Sequence, residues 1–113
     1  MANSFVNKKV DLTSTSATTL YTVPAYSTAV IKSILVSEDA GSGTTIDVTL
    51  VDSSGNIFSL FKAKAVGSNT TVELLTQPLI LKESEALKAQ AADANELHVV
   101  ASILEVKPRE VIT

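Results

Sequence analysis

A chain of 113 residues, 45% hydrophobic and 19% charged, suits one hydrophobic core and one domain. It holds no cysteine, which excludes disulfides, thiolate metal ligands and a cysteine nucleophile. The net charge of -3 and nine scattered Lys and Arg residues argue against a nucleic-acid partner, and no apolar stretch approaches the ~18 residues of a membrane span.

The first residues, Met1-Ala2-Asn3-Ser4-Phe5, lack the charged and apolar regions of a secretory signal, so synthesis in the cytoplasm of the producing cell is expected. Residues 1–9 are polar apart from Phe5 and Val6 and read as an N-terminal arm. Such an arm either frays or adds itself as a strand to a neighbour's sheet. The domain proper is expected over residues 10–106. Thr, Ser and Val are abundant there, and Thr and Val favour extended backbone.

Residues 19–23 form a short strand closed by Pro24, which cannot donate to a ladder. A turn leads into a strand over residues 28–37, followed by the loop Glu38-Asp39-Ala40-Gly41-Ser42-Gly43, read as a hairpin loop. In residues 44–52 Ile46, Val48 and Leu50 alternate with Asp47 and Thr49, the pattern of a strand with one wet face. Asp52-Ser53-Ser54-Gly55-Asn56 then supplies a turn, and residues 57–61 resume the extended pattern, which makes a β-hairpin.

Further strands are predicted over residues 70–75, 79–81 and 86–92, and a last long one over 96–106. Residues 86–92 contain good helix formers, but the window spans only about two helical turns and sets Leu87, Ala89 and Ala91 against Lys88 and Gln90, so a strand is preferred. Residues 107–113 form a C-terminal tail ending in Val111 and Ile112. Seven to nine short strands with regular turns indicate an all-β antiparallel sandwich, jelly-roll or immunoglobulin-like.

Two strands break the alternation. Val30-Ile31-Lys32-Ser33-Ile34-Leu35-Val36 and Leu97-His98-Val99-Val100-Ala101-Ser102-Ile103-Leu104 carry aliphatic residues on both faces. Either a loop or the terminal segments cover the second face, or another subunit does. The second alternative selects Phe5, Val6, Ile31, Leu35, Val100, Leu104, Val111 and Ile112 as interface candidates.

Catalytic candidates are few. His98 is the sole histidine and lies among aliphatics, so a packed or edge position is expected and not a general base. The acids Glu38, Asp39, Asp52 and Asp93 lack calcium-loop spacing, and Glu83 and Glu85 flank Ser84 in a surface turn. Gly41-Ser42-Gly43 precedes a strand pattern and not a helix, so no phosphate cradle is expected. No catalytic, metal or cofactor site is expected. A carbohydrate site built on Tyr21, Tyr26 and the loop 38–43 is the alternative from another functional class.

The succession Leu20-Tyr21-Thr22-Val23-Pro24-Ala25 and Thr28-Ala29-Val30-Ile31-Lys32-Ser33-Ile34-Leu35-Val36 resembles the opening of small virion structural proteins of tailed bacteriophages. Thr71-Val72-Glu73-Leu74-Leu75, the run from Leu79 through Ala91, and Ser102-Ile103-Leu104-Glu105-Val106 continue the likeness, which covers most of residues 10–106. In many relatives a glycine occupies the turn that here reads Lys82-Glu83-Ser84-Glu85. The resemblance implies a jelly-roll or immunoglobulin-like sandwich serving as a capsid decoration, neck, tail or fibre part. It further implies a homo-oligomer, expected to be a trimer, with the major capsid protein or another virion protein as partner and the virion as its location.

Overall fold

The computed structural model describes residues 2–107. Its nine strands are β1 (Ala2–Leu12), β2 (Thr18–Thr22), β3 (Thr28–Glu38), β4 (Thr44–Val51), β5 (Ile57–Val66), β6 (Thr71–Glu73), β7 (Leu79–Leu81), β8 (Ala86–Ala91) and β9 (Leu97–Lys107). The first sheet runs β1-β9-β3, with β6 and β7 on the far side of β3, and the second runs β2-β8-β4-β5. All pairings are antiparallel.

Because β7 pairs with residues 29–31 of β3 and β6 with residues 35–37, the two short strands occupy one interrupted strand position. Counting it once leaves two four-stranded sheets in which most connections cross from one sheet to the other. Only β4 and β5 join as a same-sheet hairpin, whereas an immunoglobulin-like sandwich joins several sequence neighbours within a sheet. The winding is that of a jelly roll. The expected all-β antiparallel sandwich is therefore what the chain forms, and the segment expected over residues 86–92 is strand over Ala86–Ala91 and not helix.

The core lies between the sheets. Ile31, Ile34, Val36, Val99, Ala101 and Ile103 face inward from the first sheet and meet Tyr21, Ile46, Val48, Leu87 and Ala89 from the second, all buried. Along β3 the inward set is kept by a bulge. Ile31 pairs with Ile103 and Ser33 with Ser102, leaving Lys32 unopposed, so both Ile31 and Ile34 point inward although they are three positions apart.

Three expectations are corrected here. Ile31, an interface candidate, is fully buried, and Val30 takes the outward place. The loop 38–43 is not a hairpin loop, because β3 and β4 belong to different sheets and the chain crosses between them. Residues 2–9, read as an arm, run in β1 and pair with β9 of the same chain from Ala2 opposite Lys107 to Leu12 opposite Leu97. Val6 and Val10 pack against the core and Leu12 enters it. The tail candidates Val111 and Ile112 lie outside the described residues.

Candidate assembly surface

Register places the outward residues of the first sheet in rows across its strands. Phe5 of β1 lies opposite Leu104 of β9, Leu104 opposite Val30 of β3, and Val30 opposite Ile80 of β7. This apolar row crosses the whole sheet, with Phe5 84% exposed at one end and Ile80 58% at the other. One row of small polar residues follows, Asn7, Ser102 and Ser33. The next row holds Lys9, Val100, Leu35 and Glu73. The outer surface is thus two ridges with a shallow polar valley between them, lined on the β1 side by Phe5, Asn7 and Ser102.

The outer face of the second sheet is different. Asp47 lies opposite Gln90, and Thr49 lies opposite Lys88 and Ser59. Lys62 bonds Asp47 at 3.2 Å beside the β5 irregularity, where Asp47 also accepts from the Ala63 amide at 2.7 Å. The outer face of the second sheet is therefore mostly polar, with Ile57, 69% exposed, opposite Val51 near the end of the β4–β5 hairpin. The first sheet instead carries an apolar row across its strands and a second row whose aliphatic middle, Val100 and Leu35, lies between Lys9 and Glu73.

Of the interface candidates, Phe5 and Leu104 share one ridge and Val100 and Leu35 the other. Val6 and Ile31 are turned to the inner side. Ile80 and Val30 belong to the outer row but were not singled out from sequence. Their signal was weak: Ile80 stands in a three-residue strand, and the Lys32 bulge hides which β3 residues share a face.

Two buried carboxylates hold the scaffold under these ridges. Glu38, 2% exposed, accepts from the amides of Gly41 at 3.0 Å, Ser42 at 3.1 Å, Gly43 at 2.9 Å and Asn69 at 2.9 Å. The Asn69 amide is the largest influence, and with the glycine-loop amides it outweighs burial and holds the carboxyl down at about 2. Gly41-Ser42-Gly43 thus does cradle an anion, the chain's own side chain, and positive φ at Gly41 and Gly43 aims those amides inward. At the other end, buried Glu105 of β9 accepts from the Tyr21 hydroxyl of β2 at 2.6 Å and ties the two sheets together. Burial first, and then the Glu105 hydrogen bond and charge, push the Tyr21 phenol well above its ordinary range.

The remaining sequence candidates do not converge. His98 lies on the outer face of the first sheet, half-exposed, with Nε2 3.3 Å from Asp11 Oδ1 and Nδ1 3.5 Å from Asp39 Oδ2. Ser37 sits opposite it across β3 and β9, but both ring nitrogens already face carboxylates, so neither is directed at that hydroxyl. Asp52 caps its own turn through the Ser54 and Asn56 amides, and Asp93 accepts from the Thr44 hydroxyl at 2.7 Å. Glu83 accepts from the Tyr26 amide and Glu85 from the Lys82 amide. Among the described residues no three His, Cys, Asp or Glu side chains form a metal-ion cluster. The sugar-site residues are dispersed: Tyr21 is buried against Glu105, exposed Tyr26 precedes β3, and the loop 39–43 follows it, an 11-residue strand away.

No protein-family model matches the chain, and no curated protein matches it. Solved structures do. A chain of the Bacillus endospore appendages, described as disulfide-linked pili, superimposes with a TM-score of 0.52 at 12% identity, over 95% of this chain and 92% of that one. A chain of infectious bursal disease virus, Gx strain, gives 0.52 at 8% identity, over 97% of this chain but only 33% of that one. A pentameric capsid protein from metagenomic phage sequences gives 0.47 at 20% identity, covering 88% and 59%. At these identities the likeness establishes the fold, a β-sandwich of the kind found in viral and pilus structural proteins.

Proposed function

We propose that the chain is a virion structural protein, a homo-oligomeric capsid decoration protein that meets its partners through the outer face of its first sheet. The observation that carries this is the row Phe5, Leu104, Val30 and Ile80, with Leu35 and Val100 beyond one polar row, on a sandwich whose other face is mostly polar and has no apolar row that crosses its strands. An aliphatic face left in water is unfavourable for a monomer and favourable once covered. The β-sandwich fold shared with the bursal disease virus chain and the pilus chain supports an assembling role, as does the resemblance to tailed-phage virion proteins. The cross-linking named for the pili has no counterpart here, since the sequence holds no cysteine. A rigid sandwich held by Glu38 and Tyr21–Glu105 suits a lattice part, in which many weak copies of one contact act together.

The test is gold labelling of an epitope-tagged chain on purified particles of the encoding phage. Label spread over the shell is the expected result. Label confined to the neck, tail or fibres replaces decoration with one of those positions, and unlabelled particles overturn the virion reading.

A further inference from the structure

The sheet edges are unequal. β2 is five residues long and is followed closely by Pro24, and the far edge of the first sheet is divided between β6 and β7, three residues each. β5 is bulged twice against β4, carries Lys62 and Lys64, and has Ala63 at a φ of 50°. Short strands, proline, bulges and lysines are the devices by which proteins prevent an edge from pairing. β1 also carries lysines, Lys8 and Lys9, but it alone among the described edges joins length to regularity: eleven residues, free of proline, paired with β9 without a register shift.

We propose that β1 pairs antiparallel with β1 of a second copy about a two-fold axis through Asn7. This rests on the reading of the chain as an assembling structural protein and supplies its first contact. A second copy is the occupant because, among the described edges, the only uninterrupted edge long enough to match β1 is another β1. A closed trimer needs β1 to meet a different patch, and among the described edges the one other long strand, β5, is bulged twice.

Charge and length choose the register. With Asn7 opposite Asn7, all of residues 2–12 pair, Asn3 falls opposite Asp11, Val6 opposite Lys8 and Phe5 opposite Lys9 of the partner subunit. No like charges stand directly opposite. The two first sheets become one continuous sheet, with both apolar rows on its outer face and each Phe5 row running on into the row that begins at Lys9 of the partner subunit. The Phe5 rings stand four positions apart along the paired strands, roughly 13 Å.

The absence of cysteine makes the test clean. Asn7→Cys and Lys9→Cys change exposed side chains of the full chain. Under mild oxidation Asn7→Cys is expected to give a disulfide-linked dimer on a non-reducing gel. Lys9→Cys is expected to remain uncrosslinked, because its counterpart lies roughly 13 Å away, beyond disulfide reach. Crosslinking of both variants, of neither, or of Lys9→Cys alone overturns the register, as does a trimer for the unmodified chain in sedimentation equilibrium. A charge pair checks the contact without cysteine: Phe5→Lys is expected to weaken the dimer about tenfold relative to Phe5→Glu, since the introduced lysine meets Lys9 of the partner subunit with like charge and the introduced glutamate with opposite charge. Equal affinities for the two also overturn it. Labelled particles with no Asn7→Cys crosslink remove this pairing and leave the virion reading standing; crosslinked dimers absent from particles do the reverse.

Discussion

Glu38 enters the interior as a carboxylate because four amides wait for it, and the shift this produces has a definite sign. Its folded pKa of about 2 lies below the ordinary 4.5, so its contribution is complete above pH 4.5 and fades as pH falls toward 2. Glu38→Gln turns an amide donor toward amide donors and is expected to melt below the unmodified chain at pH 7. Melting curves from pH 7 down to pH 2 should show that gap narrowing across the window. A constant gap would mean that the carboxylate charge is irrelevant. The comparison isolates Glu38 although Asp47 and Asp52 are also lowered, chiefly by the Ala63 and Asn56 amides, because both proteins share them. Tyr21→Phe leaves Glu105 buried without its hydroxyl donor and is expected to cost about 1–3 kcal/mol in chemical denaturation. Neither contact was legible in the sequence. Asn69 and Glu38 are far apart in the chain, as are Tyr21 and Glu105, and the local Gly41-Ser42-Gly43 amides read equally well as a solvated acidic loop until the fold buries the carboxylate among them.

Strand β3 shows why element-level reading succeeded in part. Its apolar richness was visible and its strand state was correct, but the Lys32 bulge shifts the alternation, so counting by twos put Ile31 and Leu35 on one face. In the structure Ile34 is fully buried while its neighbour Leu35 is 40% exposed. Ile34→Ala is therefore expected to destabilise the monomer by about 2–5 kcal/mol, and Leu35→Ala by well under half of that, with its effect falling on self-association. Urea unfolding of both variants checks the parity, and equal costs would contradict it. The N-terminal strand was missed for a different reason. Phe5, Val6, Val10 and Leu12 are sparse among polar residues, and only the long pairing with β9 makes them a strand. In β5, Ala63 holds positive φ at the irregularity that blunts that edge. Ala63→Gly removes a left-handed penalty at the cost of some backbone entropy and is expected to stabilise by roughly 0.5–1 kcal/mol in the same assay.

At the scale of the molecule, the sandwich was legible because strand length, turn spacing and alternation are local properties, whereas the jelly-roll order is a matter of which strands meet. The same limit applied to the surface. Two-faced aliphatic strands announced that something must cover a face, and register then showed which residues share it: Phe5, Leu104, Val30 and Ile80. The central claim is that this outer face joins the chain to its particle while the outer face of the second sheet does not. Quantitative mass spectrometry of purified particles tests it most directly, comparing the copy number of Leu104→Glu, in the middle of the ridge, with that of Ser59→Glu on the opposite face. The account predicts folded Leu104→Glu protein missing from particles and Ser59→Glu at the unmodified copy number; equal incorporation of both variants would contradict it.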